Sequence, residues 1–145
     1  QNWAGVDPAL WQNARTEALD REFSGKYQIF ASDLDPKSLT IARSNAKKAH
    51  VEGLIQFSRQ DAATLTPPAA AGVLVCNPPY GERMLEQRQA RELYRRMGAH
   101  WNGETGWKQY YISSDDAFEE FLGRRAGKKR KLYNGMIRCN YYMYF

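Results

Sequence analysis

The chain has 145 residues, 43% of them hydrophobic and 26% charged, with a formal net charge of +5. That composition suits one globular domain, long enough to bury roughly 70% of its unfolded surface. The longest apolar run, residues 69–76, is far short of the about 20 residues that a membrane-spanning helix needs, and no charged segment followed by an apolar one opens the chain, so neither a membrane span nor a signal peptide is expected.

Asp7-Pro8 opens the first helical pattern, with Asp as N-cap and Pro at the first helical position. Trp11, Ala14 and Ala18 follow at helical spacing, and the pattern ends near Gly25. Residues 27–32 form a short β-rich run. Asp35-Pro36 opens a second helix whose apolar face is Leu39, Ala42, Ala46 and Ala49, with Gly53 as its stop. Residues 55–58 read as another strand, and Pro67-Pro68 breaks the chain. Gly72–Cys76 (GVLVC) has no polar alternation and is expected to be buried on both faces. A helix is predicted over 87–97, with Ala90, Leu93, Tyr94 and Met97 on one face. Residues 109–113 form a strand. Ser113 or Ser114 then caps a short helix bearing Phe118, Phe121 and Leu122, closed by Gly123. Asn134-Gly135 lies between strand patterns at 130–133 and 136–144, a strong hairpin signal. Alternating strands and helices predict an α/β fold built on a parallel sheet, with an antiparallel hairpin at its C-terminal edge.

In such sheets ligands bind beyond the carboxyl ends of the strands. Three predicted strand ends carry polar residues: Asp33 with Asp35, Asp61, and Asn77-Pro78-Pro79-Tyr80. The two cysteines, Cys76 and Cys139, lie in strand-like runs and read as buried free thiols; there is no CxxC pair or Cys/His cluster, and no metal site is expected. His50 and His100 lie near helix tails, with no nucleophile adjacent in sequence. The net charge is local. Six of the eight residues from 124 to 131 are Arg or Lys, and the remaining 15 basic residues face 16 acidic ones. Such a run suits a polyanion, or is a solvated turn.

Asn77-Pro78-Pro79-Tyr80 is the most informative string. The Asn amide offers one acceptor and two donors, the prolines stiffen the backbone and leave its carbonyls open, and Tyr80 offers a flat face. Acceptors beside an aromatic platform suit a nucleobase bearing an exocyclic NH2; the competing reading is a tight loop after a buried strand. The string resembles the signature of S-adenosylmethionine-dependent methyltransferases acting on exocyclic amines. With Gly81-Glu82-Arg83, Phe30-Ala31-Ser32-Asp33-Leu34-Asp35-Pro36 and the RRAGKKRKLYNG segment at 124–135, the chain resembles bacterial THUMP-domain 23S rRNA guanine-N2-methyltransferases over nearly its whole length.

That resemblance implies a Rossmann-like class I methyltransferase fold, S-adenosylmethionine as cofactor, and a guanine of 23S rRNA as substrate in the cytoplasm. Asp33 would accept hydrogen bonds from the cofactor ribose. Asp61 would face the cofactor's adenine amine, or else form an Asx-turn. Asp35 reads as an N-cap. Asn77, Pro78, Pro79 and Tyr80 would grip and stack on the base. Glu82 would read guanine's N1–H and N2 amine, or be a first-turn acid, and Arg83 would contact phosphate or pair with Glu86. Lys128, Lys129, Arg130 and Lys131 would touch the RNA backbone and Tyr133 nearby would stack on it, whereas Tyr141, Tyr142, Tyr144 and Phe145 read as strand residues of a buried sheet. The family's first strand, its Gly-rich loop and the THUMP region are expected upstream of residue 1, because no Gly-x-Gly occurs here. Residues 1–145 would then be the C-terminal part of a catalytic domain, inactive alone and prone to self-association. The rivals are an N6-adenine DNA methyltransferase and a basic nucleic-acid-binding module without catalysis.

Overall fold

The computed structural model describes residues 5–22, 25, 27–80 and 84–145. Its elements, in chain order, are α1 (Pro8–Asp20), β1 (Ile29–Asp33), α2 (Pro36–Lys48), β2 (Ile55–Arg59), β3 (Gly72–Cys76), α3 (Met84–Trp101), β4 (Trp107–Ser113), α4 (Phe118–Leu122), β5 (Lys128–Asn134) and β6 (Ile137–Tyr144). A 3-10 turn over Glu52–Leu54 precedes β2.

Local chemistry sets most of these boundaries. Asp7 Oδ1 accepts the Ala9 N–H and Asp35 Oδ1 accepts the Lys37 N–H, each at 2.9 Å, so both Asp-Pro pairs cap as expected. α1 stops at Asp20 rather than near Gly25, because positions 21 and 22 are Arg and Glu and extend no apolar stripe. α2 ends before Gly53. The Val51 N–H reaches back to the Ala46 carbonyl at 3.0 Å, and His50 takes the left-handed conformation with φ 58°. α4 is capped by neither Ser113 nor Ser114: Asp115 Oδ1 accepts the Ala117 N–H, while Ser113 Oγ accepts the Asp115 N–H. The hairpin forms with a shift of one residue. Asn134 pairs with Ile137, so the loop is Gly135-Met136, and Gly135 supplies the positive φ of 61°.

The strands form two sheets. β1 and β2 are parallel, from Ile29 opposite Ile55 to Asp33 opposite Arg59. The second sheet has the order β3-β4-β6-β5, with β3 and β4 parallel and the last two strands antiparallel. The expected single sheet is therefore divided. Among the described residues no backbone pairing joins β1 to β3.

The core lies on one face of the second sheet, under α3 and α4. Tyr94, Met97, Tyr111, Phe118, Tyr142 and Tyr144 are 1% exposed or less. Burying each such side chain contributes roughly 1.5–3 kcal/mol. The rings meet edge-on or tilted, with Tyr94 and Tyr142 each 4.8 Å from Phe118. Gly98 lets α3 and α4 approach closely, since a Cβ there would sit 1.9 Å from the Leu122 carbonyl oxygen.

β3 is not buried on both faces. Leu74 and Cys76 pack toward the core, but Val73 and Val75 are 59% and 71% exposed. An unbroken apolar run records that both faces can be covered; here only the α3 face is, among the described residues. Cys76 is likewise half-buried rather than buried, whereas Cys139 is fully buried. Of the C-terminal aromatics, Tyr142 and Tyr144 are core residues, Tyr141 is half-buried and Phe145 is 66% exposed.

Candidate active site at the strand ends

A cleft of about 1020 Å³ opens where β1, β2 and β3 end, and Asp33, Asp61, Asn77, Pro78 and Pro79 all line it. A second cavity of about 830 Å³ continues between β1 and β3, bordered by Ile29 and Phe30 on one side and Val73 and Val75 on the other. With Asp35, which also lines the cleft, six of the residues singled out from sequence converge there.

Asp33 is the last residue of β1, and its Oδ1 accepts the Asp35 N–H at 2.8 Å. Oδ2 takes no hydrogen bond among the described residues. Asp35 is spent locally, as expected of a cap: it also accepts from the Ser38 hydroxyl at 3.3 Å. The Cys76 thiol at the end of β3 is pushed up to about 11, by burial first and then by the Asp33 carboxylate. It stays protonated at neutral pH and is no nucleophile.

The loop after β2 reaches the cleft because α3 holds it. Arg96 donates to Asp61 Oδ2 at 2.7 Å, Trp101 Nε1–H to the Ala62 carbonyl at 2.9 Å, and His100 Nε2 lies 2.7 Å from the Leu65 carbonyl oxygen. His100 is thus a tether for this loop. Asp61 Oδ1 accepts the Ala63 N–H at 2.9 Å, so the Asx-turn exists alongside the cleft position. The Ala63 N–H and then Arg96 hold the Asp61 carboxyl below the usual range, against the upward push of burial. It is ionised and acceptor-only at neutral pH.

Asn77 is exposed at the end of β3, Pro78 is buried, and the Tyr80 hydroxyl donates to Asn77 Oδ1. An amide oxygen has two lone pairs, so a second donor can still be accepted. Tyr80 does not line the cleft. It turns toward the hairpin, where the Asn134 and Cys139 side chains reach its hydroxyl, and burial raises its pKa.

Glu82 and Arg83 lie outside the described residues. Lys128, Lys129, Arg130 and Lys131 all fall on β5, every residue of which is exposed. They are not equivalent. Lys129 Nζ is 2.6 Å from Glu119 Oε2 and 5.8 Å from the Tyr142 ring centre, so it is part of the fold. Lys128, Arg130 and Lys131 make no ion pair among the described residues. Only the Asn134 end of β5 meets the motif; at about 3.3 Å per residue, Lys131 lies roughly 10 Å and Lys128 roughly 20 Å along the strand from it. Tyr133, near that end, is 72% exposed.

Sequence reasoning overlooked Arg96 and Tyr94. Tyr94 read as one residue of the α3 core stripe, and it is that, but its hydroxyl donates to the Pro79 carbonyl at 2.6 Å. A signal was available: a tyrosine on a buried face needs a partner for its O–H.

The sequence profile described as the RMKL-like methyltransferase domain matches residues 2–143. The Bacillus subtilis protein named "Putative RNA methyltransferase YpsC" is 38% identical over 100% of this chain and 38% of its own length. The ribosomal RNA large subunit methyltransferase K/L of Shewanella frigidimarina is 36% identical over 99% of this chain and 21% of its own length. A crystal structure of SMU.472, described as a "putative methyltransferase complexed with SAH", superposes with a TM-score of 0.86 at 34% identity, covering 99% of this chain and 38% of that one. The chain therefore spans about two fifths or less of the length of these relatives.

Proposed function

Because this chain belongs to the RMKL-like methyltransferase domain family (UPF0020), we propose that it is part of an S-adenosylmethionine-dependent enzyme that methylates the exocyclic N2 amine of a guanine in 23S rRNA. The observation that carries the reading is the shared cleft, in which Asn77-Pro78-Pro79 stands beside two strand-end carboxylates. The relatives named as RNA and ribosomal RNA methyltransferases support the substrate class.

The cofactor fits these residues. Asp33 keeps one carboxylate oxygen for ribose hydroxyls, and the ionised Asp61 can accept from the adenine amine. The cleft volume is at the upper end for small-molecule sites. When bound, S-adenosylmethionine supplies a methyl group already activated on a sulfonium, so no strong base is required.

This chain's own part is to orient and polarise the amine. Asn77 Oδ1 and the Pro78 carbonyl accept its two N–H groups, favouring the positive charge that develops on nitrogen. Tyr80 moves from its hairpin contact to stack on a base taken out of its helix. Glu82 reads the guanine edge, Arg83 contacts the RNA backbone, and the free cations of β5 hold phosphate. A strand between β1 and β3, with a Gly-rich turn at its end, would join the two sheets and complete the cofactor's cradle; we assign both, with a THUMP region, to further sequence of a cytoplasmic parent protein.

The test is transfer of tritiated methyl from S-adenosylmethionine, by a polypeptide that includes this chain, to protein-free 23S rRNA, followed by nucleoside analysis. N2-methylguanosine is expected. N6-methyladenine formed in DNA would instead establish the DNA enzyme. Nucleic-acid binding with no transfer to either would leave a binding module.

A further inference from the structure

α3 passes behind the Asn77-Pro78-Pro79-Tyr80 loop and presents Tyr94 to it. Tyr94 is fully buried, its hydroxyl 2.6 Å from the Pro79 carbonyl oxygen and 3.4 Å from Ser113 Oγ. Ser113 Oγ accepts the Asp115 N–H at 3.1 Å, which leaves the Ser113 proton for the Tyr94 oxygen and the Tyr94 proton for Pro79. Asp115 is itself fixed by two bonds from Arg91, at 2.8 and 3.0 Å. Burial pushes the Tyr94 phenol up to about 12, so the donor keeps its proton.

The carbonyl that Tyr94 holds is the one that matters for the loop's shape. Ring closure fixes φ at Pro78 and Pro79. Asn77 and Pro78 each precede a proline, which confines their ψ to the extended region. The ψ of Pro79 is then the only soft backbone torsion between Asn77 and Tyr80, and it sets both where the Pro79 oxygen points and where Tyr80 departs.

We infer that Tyr94 is the positioning residue of this loop: its hydroxyl pins the Pro79 carbonyl and thereby fixes the direction from which Tyr80 meets the base. The inference rests on the reading of the loop as the amine site.

Tyr94→Phe keeps the buried ring and removes only the hydroxyl. In methyl transfer to protein-free 23S rRNA, kcat should fall roughly tenfold or more, the scale expected of a misplaced reacting group, while the Kd for S-adenosylmethionine stays within about twofold. Ser113→Ala takes a hydrogen bond from the same hydroxyl but leaves the Pro79 contact. It should lower Tm comparably and leave kcat within about threefold. Unchanged kcat in Tyr94→Phe, or equal losses in both variants, would overturn the assignment. NMR of the same isotopically labelled polypeptide that includes this chain gives a readout independent of activity. Tyr94→Phe should shift the Pro79 carbonyl carbon and weaken the hydrogen bond from the Tyr80 hydroxyl to Asn77 Oδ1. A Tyr80 hydroxyl that keeps that bond unchanged sinks the inference. A wild-type enzyme inactive on 23S rRNA counts against the proposed substrate alone, and the NMR result then decides on Tyr94.

Discussion

At the scale of single residues, the site is built from groups whose polar atoms are nearly all assigned. Asp61 spends one oxygen on Ala63 and the other on Arg96, Asp33 spends one on Asp35, and Asn77 accepts from Tyr80. Such prior engagement holds the groups still, which is what positional catalysis requires. Asn77 is the residue on which turnover should depend most. On the proposed reading, Asn77→Ala would remove one preorganised acceptor at the amine, and the expected loss in methyl transfer is on the order of 10²–10³. Cofactor affinity should hardly move, because Asp33 ends β1 and Asp61 sits in the loop after β2. Single-turnover transfer together with equilibrium binding checks both halves, and more than a third of wild-type turnover would remove Asn77 from its role.

The elements show where a uniform-looking sequence divides in function. The basic run reads as one patch, yet on β5 only Lys129 reaches Glu119, beside the Tyr142 ring, while Lys128 and Arg130 on the opposite face and Lys131 two residues further along make no ion pair among the described residues. Burial works upward on Glu119, but the Lys129 ammonium and the Ala126 N–H outweigh it, so the carboxyl stays ionised and the pair is structural. Replacing Lys128, Arg130 and Lys131 together should therefore flatten the salt dependence of RNA binding, by roughly 0.7–0.9 in log–log slope for each phosphate no longer neutralised. Lys129→Ala alone should lower stability and leave the slope almost unchanged. Equal flattening from each of the four positions would show that the patch acts as a whole. α3 carries a different constraint. A glycine inside a helix costs about 1 kcal/mol relative to alanine, yet Gly98 is where α4 crosses, with the Leu122 carbonyl in the place of a Cβ. That carbonyl also accepts from Asn102 at 2.7 Å, so it has no freedom to retreat. Gly98→Ala should destabilise by about 3 kcal/mol or more, read from urea unfolding; a variant as stable as wild type would mean that the two helices separate without cost.

Across the whole molecule, the division into two sheets is the dominant feature. The parallel pair β1-β2 and the edge strand β3 of the other sheet end at one cleft, tied across it by the α3 side chains that hold the loop after β2. Among the described residues the edges of β1 and β3 that face each other are unpaired, and unpaired edges recruit strands. The isolated chain should therefore self-associate at micromolar concentration, with a sedimentation profile that depends on loading. It should also bind S-adenosylmethionine more than about 100-fold more weakly than an enzyme with a Gly-rich loop, since several hydrogen bonds of roughly 0.5–1.5 kcal/mol each are missing. Calorimetry decides the second point: micromolar binding by a monomer would show that another segment of this chain does the work of that loop. No helix among the described residues is long and apolar enough to cross a membrane.

Short-range chemistry in this protein was legible from the sequence. Both Asp-Pro caps, the strand before Asn77-Pro78-Pro79-Tyr80 and the existence of the C-terminal hairpin depend on torsions and hydrogen bonds spanning two to four residues, which the residue types dictate, although the hairpin loop settled one residue on, at Gly135-Met136. The convergence of Asp33, Asp61 and Asn77 was legible too, because parallel strands of one alternating pattern end on one side. Only the tertiary structure decided the rest. Arg96 meets Asp61 across 35 residues and Tyr94 meets Pro79 across 15. Such pairings depend on which helix crosses which loop, and periodicity does not carry that information. The same holds for β3, whose apolar run records that both faces can be buried, while Val73 and Val75 remain open because burial needs a covering layer that hydrophobicity cannot by itself supply.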